Sequence, residues 1–141
     1  MDSLKVYLSG ATRNVNGDFQ YWRNRCHTLH KNGYFTNLEF VDPINFFNYT
    51  NKIPKTEKQC LDLFMWQIER CDVVLINLDY SIISVGSMAE VEHAFCNNIP
   101  VIGFGEKKNT WYNWCEERCS VVFDDLDTAI EYLSNSYAKT I

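Results

Sequence analysis

Glu90 stands in Ser84-Val85-Gly86-Ser87-Met88-Ala89-Glu90, just after the apolar run from Asp72 to Leu78 and ahead of a helical stretch that reaches Asn97. A carboxylate in the first turn of a helix that follows a buried strand lies where open α/β sheets gather their ligands. An ionised glutamate there has the chemistry of a nucleophile, and the positive end of the helix would favour its charge. The same spacing also has a purely structural reading. Ser87-x-x-Glu90 has the form of a capping box, in which the glutamate bonds the backbone N–H of Ser87. Both readings suit an anion at that place.

Other candidates gain meaning from their neighbours. Tyr7, Ser9 and Gly10 end the first apolar run, where Tyr7 is either part of a crevice or a core aromatic with a wet hydroxyl. Arg13 and Ser84 taken singly are loop residues. Together, an arginine and a hydroxyl beside the glycine-bearing helix start at Gly86 and Ser87 are what a phosphate needs.

The elements that position these residues alternate strand with helix. Lys5 to Ser9 reads as a strand, and Phe19, Trp22, Cys26 and Leu29 recur at helical spacing until Gly33 stops the run. Leu38 to Val41 is a second strand closed by Asp42-Pro43, followed by an Asn- and aromatic-rich loop to Pro54. Thr56-x-x-Gln59 has capping-box form and opens a helix with Leu61, Phe64, Met65 and Ile68 on one face. The third strand starts at Asp72, Pro100 to Phe104 is a fourth, and Val121 to Phe123 a short fifth. A last helix runs from about Asp125 to Ser134.

Strands separated by helices imply right-handed crossovers and a parallel sheet. The expected fold is therefore a flavodoxin- or Rossmann-like five-stranded parallel sheet, order 2-1-3-4-5, with helices on both faces and a switch point between strands one and three. That order brings Tyr7 to Gly10 and Asp79 to Glu90 into one crevice. No repeat, low-complexity stretch or linker divides the 141 residues, so a single domain is expected.

Composition bounds the function. With 46% hydrophobic and 15% aromatic residues the chain can bury a substantial core, and its net charge of −5 without a basic tract argues against a duplex nucleic-acid partner. No run reaches the length of a membrane span and no signal-peptide region precedes the first strand, so a cytoplasmic protein without a membrane partner is expected. The six cysteines lie mostly in apolar patterns and read as reduced structural thiols. Cys115-x-x-x-Cys119 lacks a second ligand pair, so no metal is expected.

Four segments in order carry a resemblance. Val6-Tyr7-Leu8-Ser9-Gly10, Cys71 to Asp79, Gly86-Ser87-x-x-Glu90-x-x-x-Ala94 and Pro100-Val101-Ile102 resemble the nucleoside 2-deoxyribosyltransferase family over most of the chain. The resemblance implies N-glycosidic bond chemistry. The glutamate at the position of Glu90 attacks the anomeric carbon, a covalent glycosyl-enzyme forms, and water or a second base takes the sugar. It implies that Tyr7 positions that glutamate and that neither metal nor organic cofactor is required. Serine at position 84, six residues before Glu90, and arginine at position 13, six beyond Tyr7, are similar to the 2'-deoxynucleoside 5'-phosphate N-hydrolase branch. A nucleoside 5'-monophosphate substrate follows from that likeness, with free nucleosides as the alternative.

The resemblance breaks at one place. The family commonly carries an aspartate eight residues before the strand-opening aspartate, and here that position is Phe64. Asp62 is turned about 200° away on a helix. Either the helix register shifts, another acid such as Asp79 serves in catalysis, or the chain has changed substrate or lost turnover and binds nucleotides only. A TIR-like NAD glycohydrolase is a further alternative. The family also completes its pocket from a neighbouring subunit, which implies a homodimer or larger homo-oligomer. The corresponding segment here is Asn109 to Trp114, an aromatic surface loop that is either a hydrophobic lid over its own sheet or a dimer contact, with Asn113 as the cross-subunit polar contact in the second case.

Overall fold

The computed structural model describes residues 3–10, 21–43, 56–79, 85–105 and 112–140. Among these residues five strands, β1 (Leu4–Ser9), β2 (Leu38–Val41), β3 (Val73–Asn77), β4 (Val101–Phe104) and β5 (Val121–Phe123), alternate with five helices. These are α1 (Tyr21–Lys31), α2 (Glu57–Ile68), α3 (Val85–Cys96), α4 (Tyr112–Arg118) and α5 (Leu126–Asn135), with a short 3-10 turn over Tyr137–Thr140. The strands form one parallel sheet in the order β2-β1-β3-β4-β5, as the alternation predicts.

The two faces of the sheet follow from side-chain alternation along each strand. Val6, Leu8, Val73 and Leu75 pack with Trp22 and Cys26 of α1 and with Leu126, Ala129, Ile130 and Leu133 of α5. Tyr7, Val74 and Ile76 face the other way, against Ile68 of α2, Val91 and Ala94 of α3 and Cys115 of α4. Helices cover both faces, so the central strands are buried on both sides and read as continuous apolar runs.

Local chemistry fixes the helix ends. Thr56 and Gln59 form the expected capping box, each side chain bonding the other's backbone N–H at 3.1 Å. Gly33, at φ 85, closes α1 in a Schellman motif: its N–H bonds the carbonyl of His30 and that of Tyr34 bonds Leu29. Asp125 caps α5 by accepting from the N–H of Thr128 at 2.8 Å. All six cysteines are free thiols. No helix among the described residues is long and apolar enough to cross a membrane.

The segment after β4 corrects the loop expectation in part. Tyr112 onward is helical, so Asn113 and Trp114 belong to α4. The cause is packing: Cys115 is buried, Trp114 and Cys119 lie against the core of the α2/α3 face, and the Arg118 guanidinium stacks 3.6 Å from the Trp114 ring centroid. Residues 109–111 of that segment lie outside the described residues.

Candidate active site

Strand β1 pairs with β2 on one edge and β3 on the other, while α1 and α3, which follow β1 and β3, lie on opposite faces. The carboxyl ends of β1 and β3 therefore border the switch-point crevice. Tyr7 and Ser9 both project to the α3 face, because they are two residues apart on one strand. Both are fully buried.

There they meet Glu90. The Tyr7 hydroxyl donates to Glu90 Oε2, and Ser9 Oγ donates to Oε1 at 3.0 Å. Glu90 itself is only 6% exposed. Tyr7 is thus a core aromatic whose hydroxyl, buried rather than wet, donates to Glu90.

The position of Glu90 on its helix differs from the expectation. Since α3 includes Val85, Glu90 is at least its sixth residue and sits in the second turn. The Ser87–Glu90 capping box is not formed as a helix start, and both oxygens of Glu90 bond to β1. The helix dipole falls off within the first turn, so it does not keep this carboxyl ionised. Burial dominates and pushes Glu90 up to about 7 against the opposing hydrogen bonds of Tyr7 and Ser9 and the charge of Arg23. Burial and the neighbouring Glu90 charge raise the Tyr7 hydroxyl far above its ordinary range, so it remains a proton-bearing donor.

Arg23 and Asp42 are the residues that the sequence reading missed. Arg23 is 1% exposed; its Nη1 donates to Asp42 Oδ1 at 3.2 Å and to the Leu8 carbonyl at 3.4 Å, and its Nη2 to the Gly10 carbonyl at 3.0 Å. Asp42 is also buried, and its Oδ2 lies 2.9 Å from His27 Nε2. Burial lowers the affinity of Arg23 for its proton, and the charges of Asp42 and Glu90 oppose that. A signal existed: Arg23 adjoins Trp22 and precedes Cys26 by three residues, which places it on the inner side of α1, where an arginine needs a carboxylate partner.

Gly10 forms part of the wall. A Cβ there would lie 3.0 Å from Trp22 Cζ2, 3.5 Å from Arg23 Nη2 and 3.5 Å from Asn77 Cβ. Trp22 Nε1, Arg23 Nε and Asn77 Nδ2 in this neighbourhood are buried donors with no hydrogen-bond partner among the described residues. Asn77 Oδ1 accepts from the N–H of Asp79 at 2.8 Å.

Asp79 is half-buried just past β3 and adjoins Gly105, while the hydrogen bonds to Glu90 come from Tyr7 and Ser9. Gly86 is exposed and Ser87 buried at the start of α3, and Asn113 is exposed on α4. Arg13 and Ser84 lie outside the described residues. Phe64 packs on the core of the α2/α3 face, whereas Asp62 is exposed and pairs with Lys58 at 2.9 Å. No cluster of three metal-ligating side chains occurs among the described residues.

No protein-family model matches the chain, and no curated protein matches its sequence. Solved structures do match its fold. A conserved protein from Enterococcus faecalis V583 is similar with a TM-score of 0.75 at 13% identity, covering 94% of this chain and 98% of that one. The DNA processing protein A of Helicobacter pylori, described for its single-stranded DNA binding mode, gives 0.63 at 17% identity, with coverage of 95% and 81%. The 2-deoxyribosyltransferase of Bacillus psychrosaccharolyticus gives 0.60 at 18% identity and 91% of both chains. The Clostridium botulinum CMP N-glycosidase BcmB gives 0.56 at 15% identity, with coverage of 93% and 98%. At such identities the likeness establishes the architecture: the chain shares its α/β fold with a nucleoside deoxyribosyltransferase and an N-glycosidase.

Proposed function

We propose that this protein cleaves the N-glycosidic bond of a (deoxy)nucleoside 5'-monophosphate or nucleoside through a covalent intermediate on Glu90. The observation that carries the reading is the buried Glu90 carboxyl, held on both oxygens by Tyr7 and Ser9 at the switch point. The fold shared with a 2-deoxyribosyltransferase and a CMP N-glycosidase supports it. The net charge of −5 favours a small substrate over a nucleic-acid strand, which its fold relative from Helicobacter pylori binds.

In the first step an ionised Glu90 oxygen attacks the anomeric carbon. The bond from that carbon to the base breaks, and the electron pair leaves with the base, which takes up a proton. Water or a second base then attacks the same carbon and releases the carboxylate. With Glu90 poised at about 7, a large share is ionised near neutrality, and the oxocarbenium-like charge that develops on the sugar favours that form. Tyr7 and Ser9 fix the carboxyl orientation. Asp79 is assigned to sugar or base contacts in the place of the acid lost at Phe64. Arg13, Ser84, Gly86 and Ser87 are assigned to the phosphate, and Asn113 to a neighbouring subunit's pocket.

The test is a panel of nucleosides, their 5'-monophosphates and NAD, scored for free base. Monophosphates should release base fastest, and Glu90→Gln should abolish release while the protein stays folded. Arg13→Ala should reduce monophosphate use at least tenfold more than nucleoside use, because a charge-assisted contact contributes about 1.5 to 3 kcal/mol. Release from no member of the panel would leave a binding module. Release from NAD alone would favour the NAD glycohydrolase reading.

A further inference from the structure

Parallel strand β1 has a backbone problem at its carboxyl end. The carbonyl of Lys5 accepts from the N–H of Asp72, toward β3, so by alternation the carbonyls of Leu8 and Gly10 face the β2 side. The register of β1 with β2 ends at Tyr7↔Val41, whereas that with β3 continues to Ser9↔Ile76. Where β2 ends, no strand among the described residues pairs with those two carbonyls. A buried carbonyl without a donor is costly, so another group must supply one.

Arg23 supplies it. Its guanidinium reaches from α1 and donates to the carbonyls of Leu8 and Gly10, on either side of Ser9. Asp42, the residue immediately after β2, holds the same guanidinium from the side, and His27 holds the other Asp42 oxygen. Ser9, bracketed in this way, is the residue whose hydroxyl bonds Glu90 Oε1. We propose that Arg23 is a positioning residue for Glu90, replacing β2 as the donor to the end of β1 and so holding Ser9 against the carboxylate.

The arrangement has an electrostatic consequence as well. Among the described residues, the groups acting on Glu90 are Tyr7 and Ser9 from β1 and the cation of Arg23 from α1; Asp42 pairs with Arg23, and His27 with Asp42. Loss of Arg23 removes both the brace and the positive charge.

The experiment uses the full chain with glutamate carboxyl carbons labelled, and follows the Glu90 titration and the Ser9 amide resonance by NMR. The kinetic readout rests on the proposed glycosidase activity, whereas the NMR readout does not, so failure of one is separable from failure of the other. In Arg23→Met combined with Asp42→Asn, which avoids leaving a lone buried carboxylate, the Glu90 midpoint should rise by about one pH unit and the Ser9 resonance should move. Arg23→Lys keeps the charge but not the fork. It should bring the Glu90 midpoint back toward the wild-type value, while Ser9 stays displaced and kcat falls about tenfold with KM little changed. A folded double variant with an unmoved Glu90 midpoint and Ser9 resonance overturns the proposal. If the double variant does not fold, Arg23→Lys decides alone: unchanged Ser9 and Glu90 resonances overturn it, and a displaced Ser9 with a near wild-type midpoint supports it.

Discussion

Burial of Glu90, only partly offset by the hydrogen bonds of Tyr7 and Ser9, makes the candidate nucleophile a stability liability as well as a reactive group. Its native-state value of about 7 lies above the ordinary 4.5, so the folded protein holds this proton more tightly than the unfolded chain does. The contribution is fully present below about 4.5 and is lost as the pH rises through about 7, on the order of 3 kcal/mol. Glu90→Gln, which carries no charge to desolvate, should therefore match the wild type in melting temperature at pH ~4 and exceed it by several degrees at pH ~8. Parallel thermal melts across that range check this. A constant difference at all pH values would mean that Glu90 does not titrate between the two.

Among the elements, the segments that leave β3 and β4 approach each other closely at Gly105 and Asp79. Gly105 has φ 128, and a Cβ there would lie 2.7 Å from the backbone nitrogen of Asp79 and 2.8 Å from its Oδ1. Gly105→Ala should cost roughly 2 to 3 kcal/mol and displace Asp79, which a denaturant titration and the loss of base release together would register. At the other end of the scale, Thr56→Ala removes half of the α2 capping box and should cost about 1 kcal/mol without altering activity. Equal effects of the two substitutions on turnover would show that the β3–β4 end has no privileged link to the site.

At the scale of the whole molecule, the homo-oligomer implied by the family resemblance becomes a more specific expectation. Trp114 stacks on Arg118 within its own subunit, and Arg118 in turn pairs with Glu92 of α3 at 2.5 Å, so truncating Trp114 would damage the α3–α4 packing itself. Asn113 is exposed on the same helix and is the cleaner probe. Asn113→Ala should leave the melting temperature within about 1 °C, as surface substitutions do, and lower turnover if a neighbour's pocket uses it. Sedimentation of the wild type should give at least a dimer at micromolar concentration. A fully active monomer would confine the site to one chain.

The sequence by itself determined the strand and helix alternation, the 2-1-3-4-5 order, the Thr56 cap and the nearness of Tyr7 and Ser9 to Glu90, because these depend on periodicity, short-range capping chemistry and crossover handedness. Even strand ends were placed within a residue or so, as Lys5 to Ser9 against Leu4–Ser9 illustrates. Three things were decided only by the tertiary structure. The protonation of Glu90 depends on how completely β1 and α3 exclude water, which no spacing reports. The helical state of Asn113 and Trp114 depends on Cys115 and Cys119 finding the sheet. The Arg23–Asp42 pair joins side chains 19 positions apart, and its reason, two carbonyls stranded where β2 ends, exists only once the strands are paired.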